Sequence, residues 1–354
     1  MSGAAIVGGG PAGAAAAIAL ARAGLRPRLL ERDAVAQEKV CGEFLAEDAA
    51  RGLAELGLDL VALGALPLRR AIFAAGRATA EIKLPFAAWS LPRARLDAAL
   101  LEAAAAAGAW VEMGMAVAEA VPDGSGWALR LADGTALHAP ALVLATGKHE
   151  LRGLRRAAQG GALGLKLVLQ GAAPDAAVTL LVCPGGYAGL QPRPDGGANL
   201  CAALDPHAAG VAAAARSAEA FVAHVAQGSE LAARLLGAMR PAMARPLAVA
   251  GIPYGFLHRG DGPFRVGDQA AVIPSFCGDG VAMALRSGLR AAQALRAGVT
   301  APAHHAAFAA DIAGGMRIAR GVSAAALRAP SVMIAGLRLF PGLAGLAARR
   351  TRLG

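Results

Sequence analysis

A mixed α/β fold, with a parallel sheet, a second β-sheet domain and a helical C-terminal segment, is what this sequence predicts. Three observations point to it. Residues 4–7 (Ala-Ala-Ile-Val) read as a short buried strand, followed by the turn Gly8-Gly9-Gly10-Pro11-Ala12-Gly13, a helix to about Ala23 and a second strand over residues 28–31. Strand, glycine turn, helix and strand within about 30 residues make a βαβ unit. Residues 141–145 (Ala-Leu-Val-Leu-Ala) are apolar throughout, as in a parallel-sheet strand covered on both faces. From about residue 163 to 204 the pattern changes to β-type runs separated by Gly, Pro and Asp turns.

The elements follow in order. Residues 93–107 form a helix pattern with Leu96, Leu100 and Leu101 on one face and Gly108 closing it. Residues 110–121 and 127–131 read as strands, and Asp133-Gly134 marks a hairpin turn before 136–137. The middle runs are 164–169, 178–183 and 198–203, and a helical block spans about 209–239. Residues 264–268 return to a strand, 281–297 to a helix, and the last fifty residues are helical, apolar and dotted with arginine. No internal repeat is visible.

Composition narrows the function classes. A chain of 354 residues suggests two or three domains, and 56% hydrophobic against 17% charged residues excludes disorder as the main state. Four cysteines without a CxxC pair give neither a disulfide framework nor a zinc ribbon, and no metal site is expected: His304-His305 have no ligand company and are expected at the surface. The net charge of +10 could serve nucleic acid, an anionic membrane or an anionic ligand. Only four lysines contribute (Lys39, Lys83, Lys148, Lys166), and aromatic residues make up 4%, so stacking platforms are scarce and nucleic-acid binding is not expected. The chain enters a strand at once, with no basic n-region or cleavage site, so the expected location is the cytoplasm.

Gly8-x-Gly10-x-x-Gly13 carries the first chemistry. The first glycine permits a tight turn, the second lets the backbone approach a pyrophosphate, and the third allows close helix–strand packing. The helix N-terminus then offers free N–H groups and a positive dipole end. Glu31 closes the second strand 18 residues after Gly13, where a carboxylate accepts ribose hydroxyls. Such a unit binds NAD or FAD.

Further stretches resemble a known family. Glu31-Arg32 followed by Lys39-Val40-Cys41-Gly42-Glu43-Phe44-Leu45 is similar to the stretch after the second strand in the geranylgeranyl reductase group of flavoproteins, which shares its fold with para-hydroxybenzoate hydroxylase. Leu91-Pro92-Arg93 with Leu96-Asp97-x-x-Leu100 resembles the family helix whose arginine approaches the flavin. Gly267-Asp268, Val272-Ile273-Pro274, Gly278-Asp279-Gly280 and Ser287-Gly288 resemble its second flavin motif, and Gly185-Gly186-Tyr187 with Asn199-Leu200-Cys201 the hairpin of its substrate sheet. The resemblance runs from residue 1 to about 300. It implies a GR2-type, para-hydroxybenzoate hydroxylase-like FAD-binding domain made from 1–70, 90–160 and 255–300. A substrate domain follows from 71–89 and 161–254, with 301–354 as the C-terminal segment. The implied cofactor contacts are Gly8, Gly10, Pro11, Ala12, Gly13, Glu31, Arg32, Cys41, Gly42, Arg93, Val117, Thr146, Gly147, Gly267, Asp268, Pro274, Gly278, Asp279, Gly280 and Val281. Tyr187, Gln191 and Phe276 would face substrate, and Cys41, Glu43 and Pro274 are the candidates nearest the chemistry.

The residues have readings of their own. Asp268, at the end of an apolar strand, suits a ribityl hydroxyl. Gly278-Asp279-Gly280 opens a helix whose N–H groups would stabilise negative charge on a reduced ring, with Pro274 as a rigid wall. Cys41 is either a small packing residue or a substrate-site thiol. Cys183 and Cys201 flank one hairpin, but a cytoplasmic disulfide is not expected.

Two departures from the family matter. Thr146-Gly147 stands where the hydroxylases carry Asp-Gly, which leaves NADPH or NADH open as electron donor. The Trp-x-Trp motif of flavin-dependent halogenases is missing: Trp89, Trp110 and Trp127 are isolated. The expectation is an FAD-dependent monooxygenase acting on an aromatic or polyketide-like lipophilic substrate through a flavin C4a-hydroperoxide. The alternatives are a flavin-dependent reductase of prenyl double bonds and a non-catalytic flavin-binding accessory protein. The apolar run 331–347, followed by Arg349, Arg350 and Arg352, is either a terminal helix packed over the substrate domain or an interfacial membrane anchor.

Overall fold

The computed structural model describes residues 3–156, 158, 160–171 and 175–340. Its parallel sheet runs in the order β17 (Phe264–Arg265), β10 (Leu142–Leu144), β1 (Ala5–Val7), β2 (Arg28–Glu31), β6 (Trp110–Met113). β1 has β10 on one side and β2 on the other, so the chain reverses direction across the sheet at β1, the kind of point where α/β sheets hold ligands.

Helix α1 (Pro11–Arg22) leaves β1 and is buried through nearly its whole length, with Ala14 to Ile18 fully buried. Its alanines let neighbours approach closely: a Cβ on Gly288, in α7 (Gly280–Arg296), would stand 2.1 Å from the Ala12 carbonyl oxygen. Helix α3 (Arg93–Ala106) packs on the same side through Leu96, Leu100 and Leu101, each worth roughly 1.5–3 kcal/mol of burial.

A second, larger sheet runs β15 (Arg240–Pro241), β11 (Ala162–Gln170), β14 (Gly197–Leu204), β13 (Gly186–Pro192), β12 (Ala177–Cys183), β4 (Leu66–Ala75), β5 (Ala78–Ser90), β3 (Phe44–Ala46), with β16 (Leu247–Ile252) also on β11. β3 and the start of β4, which the sequence assigns to the cofactor domain, thus belong to this sheet. α4 (Val211–Ala214), α5 (Ala218–Ala226) and α6 (Glu230–Gly237) cover it around Phe221, Val225 and Leu236, and α2 (Glu47–Glu55) leads back from β3 to α7.

The stretch 110–121 is two strands instead of one. Gly114, at φ +75°, ends β6 and sends β7 (Val117–Asp123) into a small antiparallel sheet with β8 (Gly126–Leu131) and β9 (Ala136–Ala139). The strand at 264–268 ends after Arg265, and Asp268 sits in a one-turn 3₁₀ helix, Gly267–Gln269.

The long helix α8 (Ala301–Arg328) and α9 (Pro330–Leu339) close the described chain. His304 and His305 are buried, 5% and 2% exposed, contrary to the surface placement expected. α8 turns that face onto β17, where Phe264 lies 5.6 Å from His304. His305 Nε2 accepts the Arg265 N–H at 3.0 Å, and Nδ1 donates to the Gly260 carbonyl at 2.9 Å. Residues 341–354, with Arg349, Arg350 and Arg352, lie outside the described residues.

Candidate cofactor and active site

The glycine loop has the geometry its spacing predicts. Gly8 is at φ +109°, and a Cβ there would stand 2.4 Å from the Ala145 carbonyl oxygen. A Cβ on Gly13 would stand 1.9 Å from the Gly8 carbonyl oxygen. These two glycines make the turn and seat α1. Gly10, its N-cap, differs: a Cβ there meets only the Arg93 guanidinium, at 3.6 Å. That open backbone lies beside the helix end, where the first N–H groups have no intrahelical acceptors, behind Pro11 at the first helical position. Glu31 is fixed at the end of β2: its carboxylate accepts the Gly9 N–H at 2.6 Å and the Asp33 N–H at 3.1 Å. Arg32 reaches His149 at 3.1 Å.

The other predicted loops converge on the same place. Arg93 forms a bidentate pair with Asp97 at 2.9 and 2.8 Å and lies close enough to Cys41 for the two to interact. Thr146 Oγ1 donates to the His149 carbonyl at 2.7 Å, closing a turn with Gly147 at φ +63°. Lys148 pairs with Asp268 at 3.0 Å, and this, despite burial, raises its pKa. A Cβ on Gly267 would touch Ala12 at 3.0 Å, and one on Gly278 would meet the Phe44 ring at 2.6 Å. Gly280 opens α7, with Val281 buried behind it. A Cβ on Gly42, Gly147 or Gly280 has nothing within 4 Å. A dinucleotide cradle needs such bare backbone, and with the acidic acceptors Glu31 and Asp268 these residues fit FAD. Val117 packs, partly buried, against the cluster that includes Val7, Leu30 and Leu144.

On the substrate-sheet side, Tyr187 of β13 stacks edge-on to Phe276 at 5.1 Å, and Phe73 of β4 lies 6.2 Å beyond. Phe276 belongs to the short turn that follows the buried Pro274 and precedes Gly278. Ser275 Oγ lies 2.5 Å from the Tyr187 hydroxyl and 2.8 Å from that of Tyr254. Burial pushes the Tyr254 phenol up to about 12 and the Tyr187 phenol well above its ordinary value. Gln191, on the same face of β13 as Tyr187, is 2% exposed and donates to Ser90 Oγ at 2.8 Å, holding β13 to the end of β5.

A buried charge network joins the two halves and was not foreseen. Glu43, fully buried and at φ +61°, accepts from Lys166 of β11, from Arg193 at 3.2 Å and from the Arg93 N–H at 3.1 Å. Lys166 also reaches Glu38 at 2.5 Å, and Arg193 reaches Glu38 at 2.8 Å. Asn199 Nδ2 donates to the Cys41 and Gly42 carbonyls at 3.1 and 2.9 Å. Burial raises the Glu43 pKa while Lys166 and Arg193 oppose it. For Glu38 the cations outweigh burial and hold it at about 2. One signal was available: Lys166 interrupts an otherwise apolar strand. Cys41, Cys183 and Cys201 are free thiols.

Residues 2–150 match a family model described as an FAD binding domain. The fold and the cradle define a flavoprotein. The match over residues 2–150 supports FAD as the cofactor, and over nearly the whole chain the fold is similar to that of flavin-dependent enzymes. Among solved structures, the flavin-dependent brominase Bmp2 is similar over 98% of this chain and 92% of its own, at TM-score 0.79 and 19% identity. A flavoprotein/dehydrogenase from Cytophaga hutchinsonii is similar over 92% of this chain and 86% of its own, at TM-score 0.75 and 19% identity. A geranylgeranyl bacteriochlorophyll reductase-like protein from Thermoplasma acidophilum is similar over 96% of this chain and 90% of its own, at TM-score 0.74 and 18% identity. No curated protein matches in sequence.

Proposed function

We propose that the chain is an FAD-dependent monooxygenase that hydroxylates an aromatic or polyketide-like lipophilic substrate, with NADPH or NADH as electron source. The observation that carries this reading is the wall formed by Tyr187, Phe276 and Phe73, with the Ser275 and Tyr254 hydroxyls at its edge. It stands on the turn that leads directly into Gly278–Gly280. FAD, when bound, would supply the redox chemistry between the donor and O₂, so no protein nucleophile is needed.

The chain's own residues bind and orient. Gly10 and the α1 N-terminus hold the pyrophosphate, Glu31 the adenosine ribose and Asp268 the ribityl chain. The N–H groups opening α7 would hold the pyrimidine edge of the ring. Phe276 and Tyr187, set edge to face, offer an aromatic substrate a ring edge and a ring face, and the neutral tyrosine hydroxyls offer it hydrogen bonds. Cys41, Glu43 and Pro274 remain the candidates nearest the reacting atoms, with Glu43 holding its loop by ion pairs.

The experiment is oxygen uptake by the FAD-loaded protein with NADPH or NADH and a panel of phenols and polyketides, with and without bromide. Substrate-dependent uptake with an oxygenated product and no need of halide supports the proposal. A product formed only with bromide replaces it with halogenation, the chemistry named for Bmp2. Oxidation of the reduced flavin by a prenyl alkene without O₂ replaces it with double-bond reduction.

A further inference from the structure

The charge of this chain is concentrated at one end. From residue 312 to 354 there are seven arginines (Arg317, Arg320, Arg328, Arg338, Arg349, Arg350, Arg352) and no Asp, Glu or Lys, so this stretch accounts for +7 of the net +10. The last acid, Asp311, is held by Arg286 at 2.7 Å and by Arg290.

The same end exposes apolar side chains. α9 buries one face on the substrate sheet, where Ile334 is 1% exposed and packs with Met333 and Leu337 against Phe73, Ala75 and Ala80. Its other face is also apolar: Val332 and Leu339 are each 72% exposed, and Phe340 is 59% exposed. Val332, Ala335 and Leu339 recur at i, i+3 and i+7, a single helical stripe, and Leu327 and Ile318 of α8 are partly exposed as well. A helix apolar on two faces and sheet-covered on only one leaves a surface that water disfavours.

We infer that α9 and the end of α8 form a docking surface for an anionic lipid bilayer. The apolar stripe enters the headgroup boundary and the arginines meet lipid phosphates. Arginine without apolar side chains would fit nucleic acid equally well; the exposed Val332, Leu339 and Phe340 favour lipid. Among the described residues no single helix is long and apolar enough to cross a membrane; α8 and α9 are so only as a pair bent by 109°, and the sheet already takes up the Ile334 face of α9, which favours a surface contact. The site lies close by: Phe73 touches both the α9 cluster and Phe276, so a lipophilic substrate leaving the bilayer meets apolar surface on its way to the flavin side. The docking surface stands whichever reaction the flavin carries out.

The test is sedimentation of the FAD-loaded full chain with vesicles of phosphatidylglycerol in phosphatidylcholine, against pure phosphatidylcholine, at low and high salt. Binding to the anionic vesicles alone, weakened by salt, is expected. Arg349→Ala, Arg350→Ala and Arg352→Ala together should weaken it about a hundredfold, at about fivefold per arginine. Val332→Asp with Leu339→Asp should abolish insertion while flavin content and melting temperature stay unchanged. No sedimentation at low salt, equal binding to neutral vesicles, or unchanged binding by the aspartate pair overturns the inference. So does preferential binding of RNA over anionic vesicles. Should the aspartate pair fail to fold, the arginine variant decides.

Discussion

The Lys148 ammonium lies 3.0 Å from the Asp268 carboxylate, tying the loop after β10 to the loop after β17. The same two loops are stitched by Arg156, which donates to the Lys148 and Asp268 carbonyls at 2.9 Å each, and by Gln269, which donates to the Gly147 and His149 carbonyls at 3.0 and 2.9 Å. Lys148 is therefore a fixed cation beside the residue assigned to the ribityl chain.

Removing that cation should shift the flavin's electron affinity. Lys148→Met is expected to make the reduction potential more negative by ~10–30 mV, an interaction of ~0.5–1.4 kcal/mol over two electrons. Dye-equilibrated spectral titration reads this out. A potential unchanged or raised would show that Lys148 does not sense the ring.

Asp268 and Asp279 should differ. Asp268→Ala removes a charged acceptor and should cost ~1.5–3 kcal/mol of FAD affinity. Asp279→Ala should cost less, because the groups at work there are the N–H donors opening α7. Fluorescence titration of the apoprotein with FAD measures both, and equal losses would refute the division.

The Glu43 network predicts a stability effect. Glu43→Ala leaves Lys166 and Arg193 with Glu38 as their shared partner in a buried site and should cost about 3 kcal/mol, the low end for breaking a buried pair. Glu43→Leu with Lys166→Met should recover most of that, since removing both charges together is nearly neutral. Urea unfolding of the two variants checks this, and a mild loss in Glu43→Ala would mean that the pair is solvated.

The histidines set a pH dependence. Burial, with help from neighbouring His305 and from Arg265 or Arg290, pushes His258 and His304 down to about 4, below the ordinary ~6.5. The unfolded chain takes up protons that the folded chain refuses between those values, so stability must fall as pH drops through that window. The slope is at most ~1.4 kcal/mol per pH unit for each histidine. Melting temperatures across that range should decline, less steeply in His304→Leu. An identical decline in that variant would assign it to other groups.

Much of the cofactor side was legible because it rests on local chemistry. Gly8 and Gly13 are read from spacing because only glycine fits where a Cβ would strike a carbonyl, and Gly10 because a pyrophosphate needs bare backbone beside the helix end. Asp268 and Gly278–Gly280 are read from their places before and at the start of a helix, although Asp268 sits in a 3₁₀ turn and not at the end of the strand. Long-range pairing hid the rest. β3 joins the substrate sheet through Leu45 and Trp89, far apart in sequence, and Lys166 meets Glu43 only because β11 crosses under the cofactor loop. The bond from the Gln191 amide to Ser90, 101 residues away, is of the same long-range kind. His304 and His305 carried no periodicity to separate a buried polar face from a wet one, so their burial by β17 could not be read.

The absorption spectrum of the purified chain reports whether FAD lies in the cradle between Gly10, Glu31 and Asp268. One FAD per chain, non-covalent and released on denaturation, is the expected result. Gly10→Val should be colourless yet keep its fold, because a side chain there meets only the Arg93 guanidinium in the protein but collides with the pyrophosphate. A wild-type chain that stays colourless after incubation with FAD, or a Gly10→Val variant that stays fully yellow, would contradict the account.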